Sequence, residues 1–442
     1  MKKAALHNLG CKVNAYETES MQQKLEADGY EIVPFGEKAD VYIINTCTVT
    51  NMADRKSRQM IHKAKKMNPD AIVVATGCYV QASEEDCRLD DSIDIIIGNN
   101  KKTELVTILR EYQEHGTDLN TVIDINHTKE YEDMPISRVE NHTRAYIKIQ
   151  DGCNQFCTYC IIPFARGRVR SRAVISILEE VTTLAAGGYK EIVLTGIHLS
   201  SYGIDFIEKS ENLLTLIVKI HEIKGIERIR LGSLEPRIIT EEFVTTISKL
   251  YKVCPHFHLS LQSGSDSILK KMNRRYSTSE YYDKCDLLRK HYVNPGITTD
   301  IIVGFPGETE DEFYSTKEYA KRIGFSEMHI FKYSKRDGTK AAIMPEQVSE
   351  EIKTIRSNEL IEIGKELSEQ FRHNLAGESK DVLIEENIII DGESYAIGYT
   401  KEYVKVAITA DYLQSGDIVQ VILGDTQINK MVIGTMKKGQ KK

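Results

Sequence analysis

The sequence predicts an α/β protein in three parts: a parallel α/β sheet domain over residues 1–125, a (βα)6 unit over 139–372, and a small β-barrel over 375–438. Three observations predict it. At 442 residues the chain exceeds what one ordinary core holds. Apolar runs of strand length alternate with helical patterns twice over, the rhythm of a parallel sheet flanked by helices. After a long helical stretch, Gln347 to Leu375, that rhythm gives way to short alternating runs separated by Gly, Asp and Asn turns, which suggests a small closed barrel of the kind that binds single-stranded or looped nucleic acid.

In the first part the strand candidates are Ala4 to Leu9, Val41 to Asn45, Ile72 to Thr76 and Ile93 to Ile97. Asn14 with Glu17 three residues on reads as a capping box for the helix after the first strand, and Gly29 as its stop. From Asn100 to Glu140 the periodicity weakens, Tyr131 to Pro135 reads as a linker, and a boundary falls near His142. The second part offers six strands: Ala145–Gln150, Glu191–Thr195, Arg228–Leu231, Phe257–Leu261, Ile297–Val303 and Met328–Phe331. The third offers five, at Lys380–Glu385, Tyr395–Thr400, Val404–Ile408, Ile418–Leu423 and Met431–Met436, and ends in a basic tail, Lys437 to Lys442, expected to be disordered.

Composition narrows the class. Charged residues at 28% and hydrophobic ones at 41% are ordinary for a globular protein, and no apolar run approaches membrane-spanning length. The start reads into a strand rather than a signal peptide, so a cytoplasmic protein is expected. A net charge of −7 argues against an indiscriminate polyanion binder while leaving room for a local basic face. Nine cysteines in such a chain are metal ligands or free thiols rather than disulfides; Cys87, Cys254 and Cys285 read as small buried thiols, and the twelve histidines show no metal-like spacing.

The other six cysteines fall into two triads. Cys153, Cys157 and Cys160 offer three thiolates within one loop after the first strand of the second part. Such a loop can wrap three irons of a [4Fe–4S] cluster and leave the fourth free to chelate S-adenosylmethionine. A zinc site is the bland alternative, but a closed zinc wants four ligands at paired spacings and no partner pair follows. Cys11, Cys47 and Cys78 each sit just past the carboxyl end of a strand; in a parallel sheet those ends line one edge, where ligands bind, so the three can converge on a second cluster.

Arg144 to Gln150 running into the cysteine loop, followed by Ile161-Ile162-Pro163-Phe164-Ala165-Arg166-Gly167, resembles the opening of the radical-SAM core of the methylthiotransferases. The words Leu9-Gly10-Cys11-Lys12-Val13-Asn14, Asn45-Thr46-Cys47-Thr48-Val49-Thr50 and Thr76-Gly77-Cys78-Tyr79 resemble that family's auxiliary-cluster domain. The resemblance implies an open three-quarter barrel, two [4Fe–4S] clusters and S-adenosylmethionine. One S-adenosylmethionine, cleaved reductively, yields the radical that takes hydrogen from an unactivated carbon. Sulfur carried at Cys11/Cys47/Cys78 is methylated by a second and transferred, so no acid or base is assigned as catalytic. It places Tyr159 against the adenine and Phe156 under the cluster. It makes the strand-end residues Thr195, Gly196, Ser233, Glu235, Gln262 and Gly304 cofactor contacts, although Thr195-Gly196 stands where many radical-SAM enzymes have Gly-Gly-Glu for the methionine amine.

The barrel resembles the TRAM domain of RNA-modifying enzymes, with Gly398-Tyr399 and Gly416-Asp417 as turn markers. Arg55, Lys56 and Arg58 on one basic helix, and Arg166, Arg168 and Arg170 at alternate positions after the cysteine loop, are then candidate RNA contacts; an ordinary solvated or salt-bridged surface is the alternative for both sets. The first and second cysteine words resemble the branch acting on threonylcarbamoyladenosine in tRNA rather than those acting on isopentenyladenosine or a ribosomal-protein aspartate. The expected reaction is methylthiolation at C2 of N6-threonylcarbamoyladenosine next to the anticodon. The partners implied are a tRNA anticodon stem-loop and an electron donor such as flavodoxin, with no membrane and no DNA. A non-catalytic iron–sulfur RNA-binding or redox-sensing protein, or a zinc-dependent RNA-binding module, is the reading from another class.

Overall fold

A computed structural model describes the chain except residues 117–118, 140–142, 209, 411 and 438–442. The boundary near His142, the barrel's end at 438 and the tail beyond Lys437 lie outside the described residues. Strands Glu31–Ile32, Lys3–Asn8, Val41–Thr46, Ile72–Gly77, Ile95–Ile97 and Leu119–Asn120 form, in that order, a six-stranded sheet, parallel throughout. Its third strand, Val41–Thr46, is buried at every position: Val41 to Ile44 are apolar, as a strand covered on both faces demands, and Asn45 and Thr46 at its carboxyl end are hydrogen-bonded to the Asn14 and Thr76 carbonyls. The two-residue edge strands are too short to leave a periodic signal.

The helix Lys12–Ala27 starts from Cys11 and has no side-chain cap. The expected capping box is therefore absent: Asn14 and Glu17 turn inward, Asn14 Nδ2 donating to the Leu9 and Thr46 carbonyls (2.8 and 2.9 Å), and Glu17 accepting from buried cations. Gly29, at φ +86°, does end the helix.

Six strands of the second part, Arg144–Asp151, Glu191–Gly196, Arg228–Leu231, His256–His258, Gly296–Val303 and Glu327–Lys332, lie side by side in chain order. Two ladders of three are joined by parallel bridges Ile229–Val253 and Leu234–Leu259, and the first and last strands do not pair. Alternate residues such as Ala145, Ile147 and Ile149 pack outward into the apolar core under the helices, which leaves Lys148 and Gln150 on the inner face.

Ser379–Ile390, Glu393–Thr400, Lys405–Ile408, Met431–Met436 and Ile418–Ile428 close into a barrel after the helix Glu350–Asn374. Its turn at 400–403 seats on the amino ends of the central strands. Arg228 donates to the Tyr399 and Asp381 carbonyls and Arg230 to those of Lys401 and Thr400, with Glu191 paired to Arg230 at 2.7 Å. The carboxyl ends stay open to the first sheet's own carboxyl edge, where Asn99 Nδ2 donates to the Ala165 carbonyl (2.7 Å) and Asn51 N–H to Ser334 Oγ (3.1 Å). Among the described residues, no helix is long and apolar enough to cross a membrane.

Candidate active site

The first triad converges as strand order requires. Gly10 has φ +107°, and a Cβ there would lie 2.9 Å from Cys47 Cβ and 3.0 Å from its Sγ, so only glycine lets the first two loops close. Ser57 Oγ accepts from the Cys47 N–H (3.3 Å) and donates to its carbonyl (3.1 Å), fixing the second loop. Cys47 and Cys78 are buried, and Cys11 is exposed. Burial pushes the Cys47 thiol to about 11, with the charges of Cys78 and Cys11 adding to the rise.

The second triad is held by a strained loop. A Cβ on Gly152 would overlap the Arg168 carbonyl, and Phe156 sits at φ +51° with its carbonyl bonded by Asn273 Nδ2 (3.1 Å). Thr158 is tied to the Met272 carbonyl (3.1 Å) and to Ala341 N–H (2.8 Å), which fixes the loop to two distant segments. Arg274 Nη1 lies 3.3 Å from Cys157 Sγ. Burial lifts Cys153 to about 11 and Cys160 to about 12.

In neither triad do the three thiol sulfurs all lie within 4.8 Å of one another. Zinc–sulfur bonds of about 2.3 Å put tetrahedral sulfurs ~3.8 Å apart. Among the described residues, the only three His, Cys, Asp or Glu ligand atoms within 4.8 Å of one another belong to His258, Asp300 and His329. Three thiols set wider apart suit the larger cubane, with a fourth iron left to a small molecule.

Between the triads runs a buried ionic network. Arg166, fully buried, pairs with Glu17 (2.8 Å) and Asp151 (3.1 Å), donates to Asn14 Oδ1 (2.6 Å), and places Nε 3.1 Å from Cys78 Sγ. Lys102 and Lys148 also pair with Glu17, and Lys148 and Arg170 with Asp151. Burial alone would raise Glu17, but the three cations hold its carboxyl well below the ordinary range. Four cations against two carboxylates leave the ion-paired set at +2, a charge that suits an anionic thiolate-ligated cluster beside it. Next to the second triad, Tyr159, Cys160, Gln262, Asp300, Ile302 and Tyr333 line a cavity that Val49 and Thr50, just past Cys47, close from the other side.

Two family models match the chain: Uncharacterized protein family UPF0004 over residues 3–98 and the Radical SAM superfamily over 147–320, one for each cysteine triad. Threonylcarbamoyladenosine tRNA methylthiotransferase MtaB of Bacillus subtilis is 40% identical over 95% of this chain and 93% of its own, and that of Aquifex aeolicus 41% over 95% and 100%. This chain belongs to the radical-SAM tRNA methylthiotransferases. A tRNA-2-methylthio-N(6)-dimethylallyladenosine synthase of Thermoanaerobacter pseudethanolicus is 39% identical over 86% of this chain and 81% of its own. Among solved structures, the radical S-adenosylmethionine methyltransferase TsrM of Kitasatospora setae superposes with a TM-score of 0.57 over 77% of each chain at 16% identity, a likeness of fold.

In this methylthiotransferase the strand-end residues divide. Tyr159 and Gln262 line the cavity, Gln262 at φ +71°. Thr195 is buried at its strand end, and Gly196 lets Gln150 pass, since a Cβ there would sit 3.0 Å from Gln150 Cβ. Ser233 is exposed, while Glu235 is buried, paired with Arg237 (2.7 Å) and near enough for its charge to help raise Cys153. Gly304 faces the helix Glu350–Asn374 instead: a Cβ there would overlap Lys353 Cγ, and its N–H donates to Glu308 Oε2 (2.7 Å). Phe156 packs edge-on against Phe164, with Arg168 4.3 Å above its ring.

The basic residues divide more sharply. Arg55, Lys56 and Arg58 are exposed on the helix Asn51–Met67, with Arg58 reaching Tyr79 OH (3.4 Å). Arg168 is exposed too. Arg166 and Arg170 are buried at 0% and 1% exposure and cannot contact RNA; the segment is a short helix and then a strand edge, so the alternate arginines do not share one outward face. Sequence reasoning missed Gln150, which accepts from His198 N–H (2.7 Å) and donates to the Asp151 and Gly152 carbonyls, fastening the cysteine loop to the next strand end. It also missed Arg274, and Arg336, which donates to Thr48 Oγ1 (2.8 Å) and pairs with Asp54 (2.6 Å) across the cleft. Gln150 could have been found from its inward position just before the loop; the two arginines, far from either triad in sequence, left no local signal.

Proposed function

We propose that this methylthiotransferase converts N6-threonylcarbamoyladenosine next to the anticodon of tRNA to its 2-methylthio derivative, using two [4Fe–4S] clusters. The observation that carries the reading is the cavity beside Cys160 that Val49 and Thr50, just past Cys47, close from the other side, which sets the two strand-end cysteine triads against each other, with the buried Arg166 at Cys78. The branch is favoured by the three curated MtaB relatives, 37–41% identical over 91–100% of their own lengths, and by the two first-domain cysteine words.

In this reading Cys11, Cys47 and Cys78 hold the auxiliary cluster, and Cys153, Cys157 and Cys160 hold the cluster that leaves an iron for S-adenosylmethionine. When bound, these groups supply the electron, the hydrogen-abstracting power, the sulfur and the methyl group. The chain's own residues position and enclose. Tyr159, Gln262, Ile302 and Tyr333 offer an apolar wall and one amide for the adenosyl group, and Glu235 stands beside Cys153 as an acceptor for the methionine amine. Arg166 balances the auxiliary thiolates, Arg274 those of the second triad, and Arg336 keeps the two halves closed so that water stays out. The small barrel, of TRAM type, and the exposed Arg55, Lys56, Arg58 and Arg168 engage the stem-loop through its phosphates. The test is mass analysis of tRNA nucleosides with and without the protein. Loss of methylthio from threonylcarbamoyladenosine is expected; methylthio lost only from an isopentenyl base would overturn the branch.

A further inference from the structure

We infer that His258, Asp300 and His329 form a binding site for one divalent first-row transition-metal ion, separate from both cysteine triads. The three stand on consecutive parallel strands, and the register makes them neighbours: His258 pairs with Thr298, two residues before Asp300, and Asp300 pairs with His329. Side chains at 298 and 300 share one face, so all three project to the same, inner side of the arc. Their ligand atoms lie within 4.8 Å of one another, the only such set among the described residues.

The details suit a metal better than a closed polar cluster. His258 Nδ1 is 2.9 Å from Thr298 Oγ1, which fixes the ring and turns Nε2 toward Asp300 Oδ2 at 3.2 Å, the arrangement by which outer partners orient ligating imidazoles. The rings of His258 and His329 are 5.9 Å apart and inclined by 29°, with Asp300 on the strand between them. Among the described residues, nothing hydrogen-bonds the His329 ring, and His258 is the only ion-pair partner of Asp300. Two imidazoles and one carboxylate are the donor set of three-ligand sites that leave coordination positions open, suited to zinc, ferrous or cobaltous ions rather than to calcium or magnesium. Asp300 also lines the cavity beside Cys160 and Gln262, so the site adjoins that cavity. The sequence hid the set because its histidines are far apart in the chain and converge only through strand order.

Equilibrium dialysis of the cluster-loaded protein against micromolar Co2+, with cobalt and iron counted per chain, tests the site. Cluster loading keeps the six triad cysteines occupied. Wild type is expected to retain about one cobalt per chain, with affinity falling at least tenfold in His329→Ala and in Asp300→Asn at unchanged iron content, and Zn2+ displacing the cobalt. His329 is exposed, so its truncation leaves the core intact; the iron count reports folding in each variant. No cobalt retained by wild type, or equal retention by His329→Ala, would overturn the proposal, whatever the tRNA substrate proves to be.

Discussion

Replacing Arg166 with methionine keeps its bulk and removes its charge, and the outcome depends on what lies at Cys78. With the site empty, the ion-paired set falls only from +2 to +1, and Glu17 and Asp151 keep Lys102, Lys148 and Arg170. With the site loaded, a cation 3.1 Å from a cluster-bound sulfur is lost. Unit charges at that distance attract by about 5 kcal/mol at an effective dielectric of about 20; spread over a guanidinium and a cluster, the attraction comes to roughly 2–3 kcal/mol. Each 1.4 kcal/mol is a decade, so iron at Cys11, Cys47 and Cys78 should be held about 30–150-fold less tightly. Titrating anaerobically loaded protein with a graded iron chelator reads this directly: half of the iron in Arg166→Met should leave at correspondingly lower chelator, with Arg166→Lys intermediate. A titration curve matching wild type would refute the assignment of Arg166 as the counter-charge of a cluster.

Cluster loading should also depend on pH. Burial lifts the Cys47 and Cys153 thiols to about 11 and Cys160 to about 12, so at neutral pH each bond to iron must expel a proton. Loading should therefore strengthen as pH rises and weaken as it falls, with proton release on reconstitution; pH-independent loading would contradict the burial. Arg336→Ala removes a pair at 2.6 Å and the bond to Thr48, an interface loss of about 2–4 kcal/mol that should speed hydrogen exchange in the helix Asn51–Met67 by roughly 30–1000-fold. Arg55→Glu with Lys56→Glu should weaken stem-loop binding and flatten its salt dependence by up to about 2 log units per log salt, measured by filter binding. An unchanged salt slope would remove that helix from the RNA interface.

The architecture was legible because period and order carry it. Every strand of four or more residues overlaps an apolar or alternating run the sequence displays, although Ser379–Ile390 and Ile418–Ile428 run well past the expected ends at Glu385 and Leu423, and the triads show as words at strand ends. Two-residue edge strands such as Arg170–Ser171 were not, since two residues have no period. The site was legible at its ligands and misread at its polar supports. Asn14 and Glu17 have the spacing of a capping box, and only the neighbouring sheet shows that they turn inward to Thr46 and Arg166. Arg166 and Arg170 look like a surface because isolated arginines usually are one; their burial depends on Asp151 and Glu17, brought in by tertiary structure. Gly304 has a glycine's usual ambiguity, and here the close approach is by Lys353.

The central claim is two cluster sites in one chain. Iron and sulfide analysis with electron paramagnetic resonance, on anaerobically reconstituted wild type and Cys153→Ala/Cys157→Ala/Cys160→Ala, tests it most directly. About eight irons per chain, halved by the triple change, is the expected result. About four irons, all lost in the triple variant, would show that Cys11, Cys47 and Cys78 hold no cluster and would contradict the account.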